Sequence, residues 1–111
     1  MKLSQIKGDR CFEVVADLIE PIAILAEDKN VVELFKPKKT PEGMTPQEFF
    51  IQRMRNGLPG LMKDHKAEFV TIMAALNGVD RNKYVKSLNL AKLFSDVIDM
   101  LNDEDLLAFL S

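Results

Sequence analysis

Apolar residues return every three or four positions along almost the whole chain, and prolines and glycines cut that rhythm into short lengths. From Asp9 to Asp28, Phe12, Val15, Ile19 and Ile22 recur at helical spacing, with Val14, Leu18 and Leu25 widening the stripe. Glu13, Asp17, Glu20 and Glu27 fall on the other side. Strand-type alternation is nearly absent, so the period predicts an all-α chain. The breakers decide what kind. Pro21, Pro37, Pro41, Gly57, Pro59 and Gly78 are too frequent for long bundle helices. Residues 1–111 are therefore expected to form a single compact domain of about five to seven short helices, orthogonally packed rather than a long bundle.

Local signals place the pieces. Pro21 is expected to kink or break the first helix. A further helical turn over residues 30–35 takes Asn30 as its cap. Residues 36–44, KPKKTPEGM, form an exposed basic loop. Thr45, Pro46 and Glu48 then give a capping-box start, and that helix is expected to end near Asn56 at Gly57. Another runs from His65 to Leu76, stopped by Asn77-Gly78. Asp80 caps a short helix through Tyr84 and Val85. Asn89 caps a helix over 90–101 with Leu90, Leu93, Phe94, Val97, Ile98 and Leu101 inward, and Lys92, Ser95, Asp96 and Asp99 outward. Asn102 or Asp103 caps the last turn, whose three acids suit the positive end of a helix dipole.

The formal charge of −2 hides a division. Residues 1–35 carry four Lys/Arg against seven Asp/Glu, net −3; residues 36–66 carry seven against three, net +4; residues 67–111 carry four against seven, net −3. Such a layout steers partners, or lets copies of the chain attract one another. The overall acidity argues against a dedicated nucleic-acid binder. No run of about 18 apolar residues exists to span a membrane. The opening MKLSQIKGDR lacks an apolar signal region, and the single cysteine admits no internal disulfide, so a reducing cytoplasm is the expected setting.

Catalytic and metal chemistry is missing. The one Cys and the one His are 54 positions apart, too few ligands for zinc. His65, in the charged stretch KDHKAEF, reads as solvated, and Cys11 as a small core residue. No phosphate loop and no nucleophile–base–orienter set is present. No enzyme activity, metal or cofactor is expected. A basic patch of Lys36, Lys38, Lys39, Arg53 and Arg55 is a candidate for phosphate backbones, though no aromatic residue interleaves with the lysines. The adjacent pairs Phe49/Phe50 and Leu106/Leu107, with Phe109 and Leu110, are candidate partner contacts. Adjacent residues diverge by about 100° on a helix, so one core rarely buries both. They either widen a core-facing stripe or meet another protein chain.

The opening MKLSQIKGDRCFEVVADLIEPIAILAED, the central KPKKTPEGMTPQEFF and the ending KLFSDVIDMLNDEDLLAFLS together resemble the tail assembly chaperones of long-tailed phages and of prophages in Gram-positive bacteria. That resemblance implies a small, helical, non-enzymatic protein of the bacterial host cytoplasm. It implies binding to the tape-measure protein until major tail subunits polymerise around it; self-association is expected as well. No fixed motif carries individual residues over. The other class of function left open by the residues is a small nucleic-acid-associated regulator using the basic central segment.

Overall fold

One helix, buried almost all round, organises the others. A computed structural model describes residues 3–35 and 39–110. Among these it contains a 3-10 turn at Leu3–Gln5 and seven helices: α1 Arg10–Ala26, α2 Lys29–Phe35, α3 Pro46–Asp64, α4 Lys66–Asn77, α5 Arg81–Ser87, α6 Leu90–Leu101 and α7 Glu104–Leu110. The described residues contain no strand, so the fold is all-α. Helix α4 buries Phe69, Val70, Ile72, Met73, Ala74 and Leu76, and packs against α1, α3 and α5. Helix α2 lies mainly on α3, while α7 touches α2, α6 and the 3-10 turn. The body is elongated, with extents of 47 × 27 × 24 Å.

The caps read from sequence are largely in place. Thr45 accepts from the Glu48 N–H at 3.1 Å, Asp80 from Lys83 at 2.8 Å and Asn89 from Lys92 at 2.8 Å. Each satisfies a backbone donor that a helix start leaves over. Gly78, at φ 68°, ends α4 in the left-handed conformation, with Val79 N–H reaching back to the Ala74 carbonyl at 3.1 Å. Helix α2 differs. Its cap is Asp28, whose carboxylate accepts from the Asn30 N–H at 3.0 Å, rather than Asn30 itself.

Neither Pro21, at which a kink or a break is expected, nor Gly57, at which a stop is expected, ends its helix. Helix α1 runs through Pro21, which is buried within it. Helix α3 runs on to Asp64 through Gly57, Pro59 and Gly60. The reason is tertiary. Met54, Gly57, Leu58 and Leu61 share one stripe across the supposed stop, and Leu61 is fully buried. Burying a leucine contributes about 1.5–3 kcal/mol, comparable to the roughly 3 kcal/mol an interior proline costs. Gly57 also lets α3 press against α2. A Cβ there would lie 2.9 Å from the Asn30 carbonyl oxygen and 3.0 Å from Leu34 Cβ.

The inward faces of α1 and α6 are also narrower than the sequence suggests. Helix α1 buries Val14, Leu18, Pro21, Ile22 and Leu25, whereas Phe12, Val15 and Ile19 are exposed. Helix α6 buries Asp96, Val97 and Met100, and leaves Leu90 and Phe94 outside.

The two α3 glycines should respond oppositely to alanine. A Cβ at Gly60 would meet only Asp64 Oδ2, at an ordinary 3.8 Å, so Gly60→Ala should stabilise by about 0.5–1 kcal/mol. Gly57→Ala should instead destabilise by about 1–3 kcal/mol by forcing α2 and α3 apart. Urea midpoints of the two variants, measured together, check this.

Candidate interaction surfaces

The last turn is anchored by a carboxylate that joins the two ends of the chain. Asp103 is almost completely buried. One of its oxygens accepts from the N–H groups of Asp105 and Leu106 at 3.1 and 3.3 Å, and the other from the N–H of Leu3 at 2.8 Å. Asp103, not Asn102, is therefore the cap of α7, while Glu104 and Asp105 face solvent. The cap seats Leu106 in the core, where it helps line a cavity of about 200 Å³ with Leu3, Ile6, Val14, Leu18 and Ile22. That volume lies below the range of about 300–1,000 Å³ usual for small-molecule sites.

The other candidate contacts scatter. Leu107 is half-buried; the side chains of Phe109 and Leu110 lie outside the described residues. Phe49 is half-buried beneath the Arg53 guanidinium, 5.7 Å from its ring centroid, and Phe50 is exposed. Arg53 also donates to the Leu34 and Glu33 carbonyls at 2.6 and 3.3 Å, neutralising the negative end of α2. Lys39 and Arg55 are exposed; Lys36 and Lys38 lie outside the described residues. Arg53 is thus committed to a fold contact.

His65 is clamped, contrary to the solvated reading. It sits at the single-residue elbow between α3 and α4. Its Nε2 lies 2.8 Å from Asp28 Oδ2 and its Nδ1 lies 3.3 Å from Glu68 Oε1. Ionised carboxylates only accept hydrogen bonds, so both ring nitrogens donate when the imidazole is charged. The Asp28 hydrogen bond, reinforced by Glu68 against the opposing effect of burial, raises the His65 pKa above its ordinary 6.5. The same bond lowers the Asp28 pKa below 3.8. This clasp ties the α1–α2 turn to the α3–α4 elbow. Cys11 also departs from expectation. It is exposed, and its thiol donates to the Ile6 carbonyl at 3.5 Å.

A second buried pair holds α5 to α6. The Tyr84 hydroxyl donates to Asp96 Oδ2 at 2.6 Å, and Lys92 reaches the same oxygen at 3.1 Å. Burial first, and then the neighbouring Asp96 carboxylate, push the Tyr84 phenol far above its usual range. Asp96 is therefore an inward residue, although the helical period places it outward. The signal for it was the tyrosine twelve positions earlier, whose hydroxyl needs a partner once buried.

Two apolar stripes are left over. Phe12, 79% exposed, continues through Val15 and Ile19 on α1. Leu90 and Phe94, 73% and 58% exposed, lie one turn apart on α6. Single exposed hydrophobics are ordinary, but rows at helical spacing mark contact faces. No family of proteins, curated protein or solved structure matches this chain. The described residues hold no cluster of three metal-ligating side chains and no helix long and apolar enough to cross a membrane.

Two measurements check these assignments. Leu106→Ala should lower unfolding stability by about 2–5 kcal/mol, as for a core leucine. The clasp has a defined pH signature. The contribution of His65 is fully present below its unfolded value of 6.5 and is lost as pH rises through the higher folded value. The contribution of Asp28 is present above 3.8 and is lost as pH falls through its lowered folded value. Thermal stability should therefore decline on the alkaline side of 6.5 in the wild type, and this limb should be absent from His65→Gln.

Proposed function

We propose that this chain is a non-enzymatic tail assembly chaperone, acting in the bacterial cytoplasm, that self-associates and holds amphipathic helices of tail proteins, the tape-measure protein foremost. The observation that carries this reading is the outward stripe of α6. Leu90 and Phe94 present apolar side chains one turn apart on a helix joined to the rest through α7 and the Tyr84–Asp96 pair. An apolar helix face of this kind suits a client that offers its own anchors at three- and four-residue spacing. Asp99, Glu104 and Asp105, all exposed, supply rim charge on α6 and α7. Rim charge steers encounter without sealing the contact, which suits a partner that must be released. The resemblance of the sequence to tail assembly chaperones gives the reading its client.

The alternative, a nucleic-acid-associated regulator, draws on the exposed Lys39 and Arg55 but loses Arg53 to the carbonyls of α2. Salt-dependent gel shifts would favour it.

Co-expression with the tape-measure and major tail proteins tests the proposal. Wild-type protein should co-purify with one of them. Leu90→Ser/Phe94→Ser should reduce capture at least about tenfold, or about 1.4 kcal/mol, while retaining its helical circular dichroism. Failure to capture either tail protein, or capture indifferent to these residues, would overturn the assignment.

A further inference from the structure

A broad open concavity lies between α4 and α5, bounded by the end of α3 and one edge of α1, with a volume of about 1280 Å³. Its floor is made of small and medium side chains of α4, namely Ala67, Val70, Thr71 and Ala74. Its rim is basic. Lys63 comes from α3, Lys66 from α4, and Arg81, Lys83 and Lys86 from α5. Three acids also line it, Asp17, Asp64 and Asp80, and Asp80 is engaged in capping α5. Folding has thus gathered five cations from three helices around one trough of an otherwise acidic chain. Lys63 and Lys66 end the basic segment 36–66, whereas Arg81, Lys83 and Lys86 come from the acidic segment that follows it.

The complementary shape and charge are present in the same molecule. The outer stripe of α1 projects Phe12, Val15 and Ile19, bulky where the trough floor is small. Further round the solvent side of α1 stand Glu13 and Glu20, with Glu27 just past its end, spaced seven apart and all exposed. On a helix turning about 100° per residue, this row lies roughly 105° round from the centre of the stripe, with Ala16 and Ala23 between them. Asp17, which lines the trough, lies roughly 165° around α1 from the stripe by the same geometry. Stripe and trough therefore open on opposite sides of α1. The trough of one molecule cannot cover its own stripe. A two-fold dimer, in which residue i meets j and j meets i across a single patch, cannot hold both surfaces either, because they open on opposite sides.

We propose that the α4–α5 trough receives the outer face of α1 from a second copy, so that copies join head to tail into an open chain or a closed ring. The contact sets apolar bulk into a small-residue floor and a glutamate row against a lysine rim. This inference rests on the self-associating part of the function proposed above and names its two surfaces. The client stripe on α6 belongs to neither of them.

Full-length protein is tested by light scattering after size exclusion, from about 5 μM to about 500 μM, spanning weak to moderate affinities. Wild-type mass should rise past that of a dimer with concentration and fall back in high salt. Ile19→Glu, which disables the stripe, and Lys66→Glu/Lys86→Glu, which disables the rim, should each be monomeric with unchanged helical content. Each variant retains the surface the other lacks, so an equimolar mixture should form a 1:1 dimer and nothing larger. A wild type that stays monomeric or stops at two copies would overturn the proposal. So would either variant assembling like wild type, or a mixture that stays monomeric. If Ile19→Glu still captures the tail protein through Leu90 and Phe94, failure of the assembly test leaves the client-binding reading standing.

Discussion

The domain depends on α4 being apolar nearly all the way round. A helix with one apolar face can lie on a surface; a helix apolar on most faces must be surrounded. Helices α1, α3 and α5 supply the surroundings. Both ends of α4 are supplied with polar partners from elsewhere in the chain. At its start, the His65 elbow is fixed by Asp28 and Glu68. At its end, Gly78 turns the chain, and the Arg10 guanidinium donates to the Ala75 carbonyl at 3.2 Å. That places a cation at the negative end of the helix dipole. Arg10 and Asp28 flank α1, so the same two contacts that finish α4 also fix α1 against it.

With the centre occupied by α4, the outer helices have more apolar surface than the core can take. Helix α1 offers apolar side chains over more than half its circumference, and α4 covers only part of it. Helix α6 is held from one side by α7 and by Tyr84. The stripes that remain, Phe12–Val15–Ile19 and Leu90–Phe94, are the excess of strongly amphipathic helices packed on a small body. The functional reading proposed above rests on that excess.

Polar groups at the boundaries do most of the fixing. Asp103 holds the first and last described segments together through three backbone N–H groups. Asp96 holds α5 to α6, and Arg53 holds α3 to α2. Each is a charged side chain whose contacts lie far along the sequence or in the next helix. None would be singled out by helical period, which assigns charged residues to the solvent side. His65 and Cys11 show the same limit from both directions. The lone histidine in a charged stretch is clamped inside, and the lone cysteine on an apolar stripe is outside.

The sequence by itself determined the class of fold, a count of about five to seven helices, and three of their caps, Thr45, Asp80 and Asn89, and it narrowed a fourth to Asn102 or Asp103. These are local matters. A three-to-four residue period and a side chain within hydrogen-bond reach of the next turn depend only on neighbours. Tertiary structure alone decided which half of each wide stripe is buried, that α3 passes through Gly57, Pro59 and Gly60, and that scattered lysines of three helices line one trough. The physical reason is common to all three. Burial is a property of what lies opposite. A leucine with α2 or α4 facing it outweighs a helix breaker, and an equally apolar phenylalanine with nothing facing it stays in water.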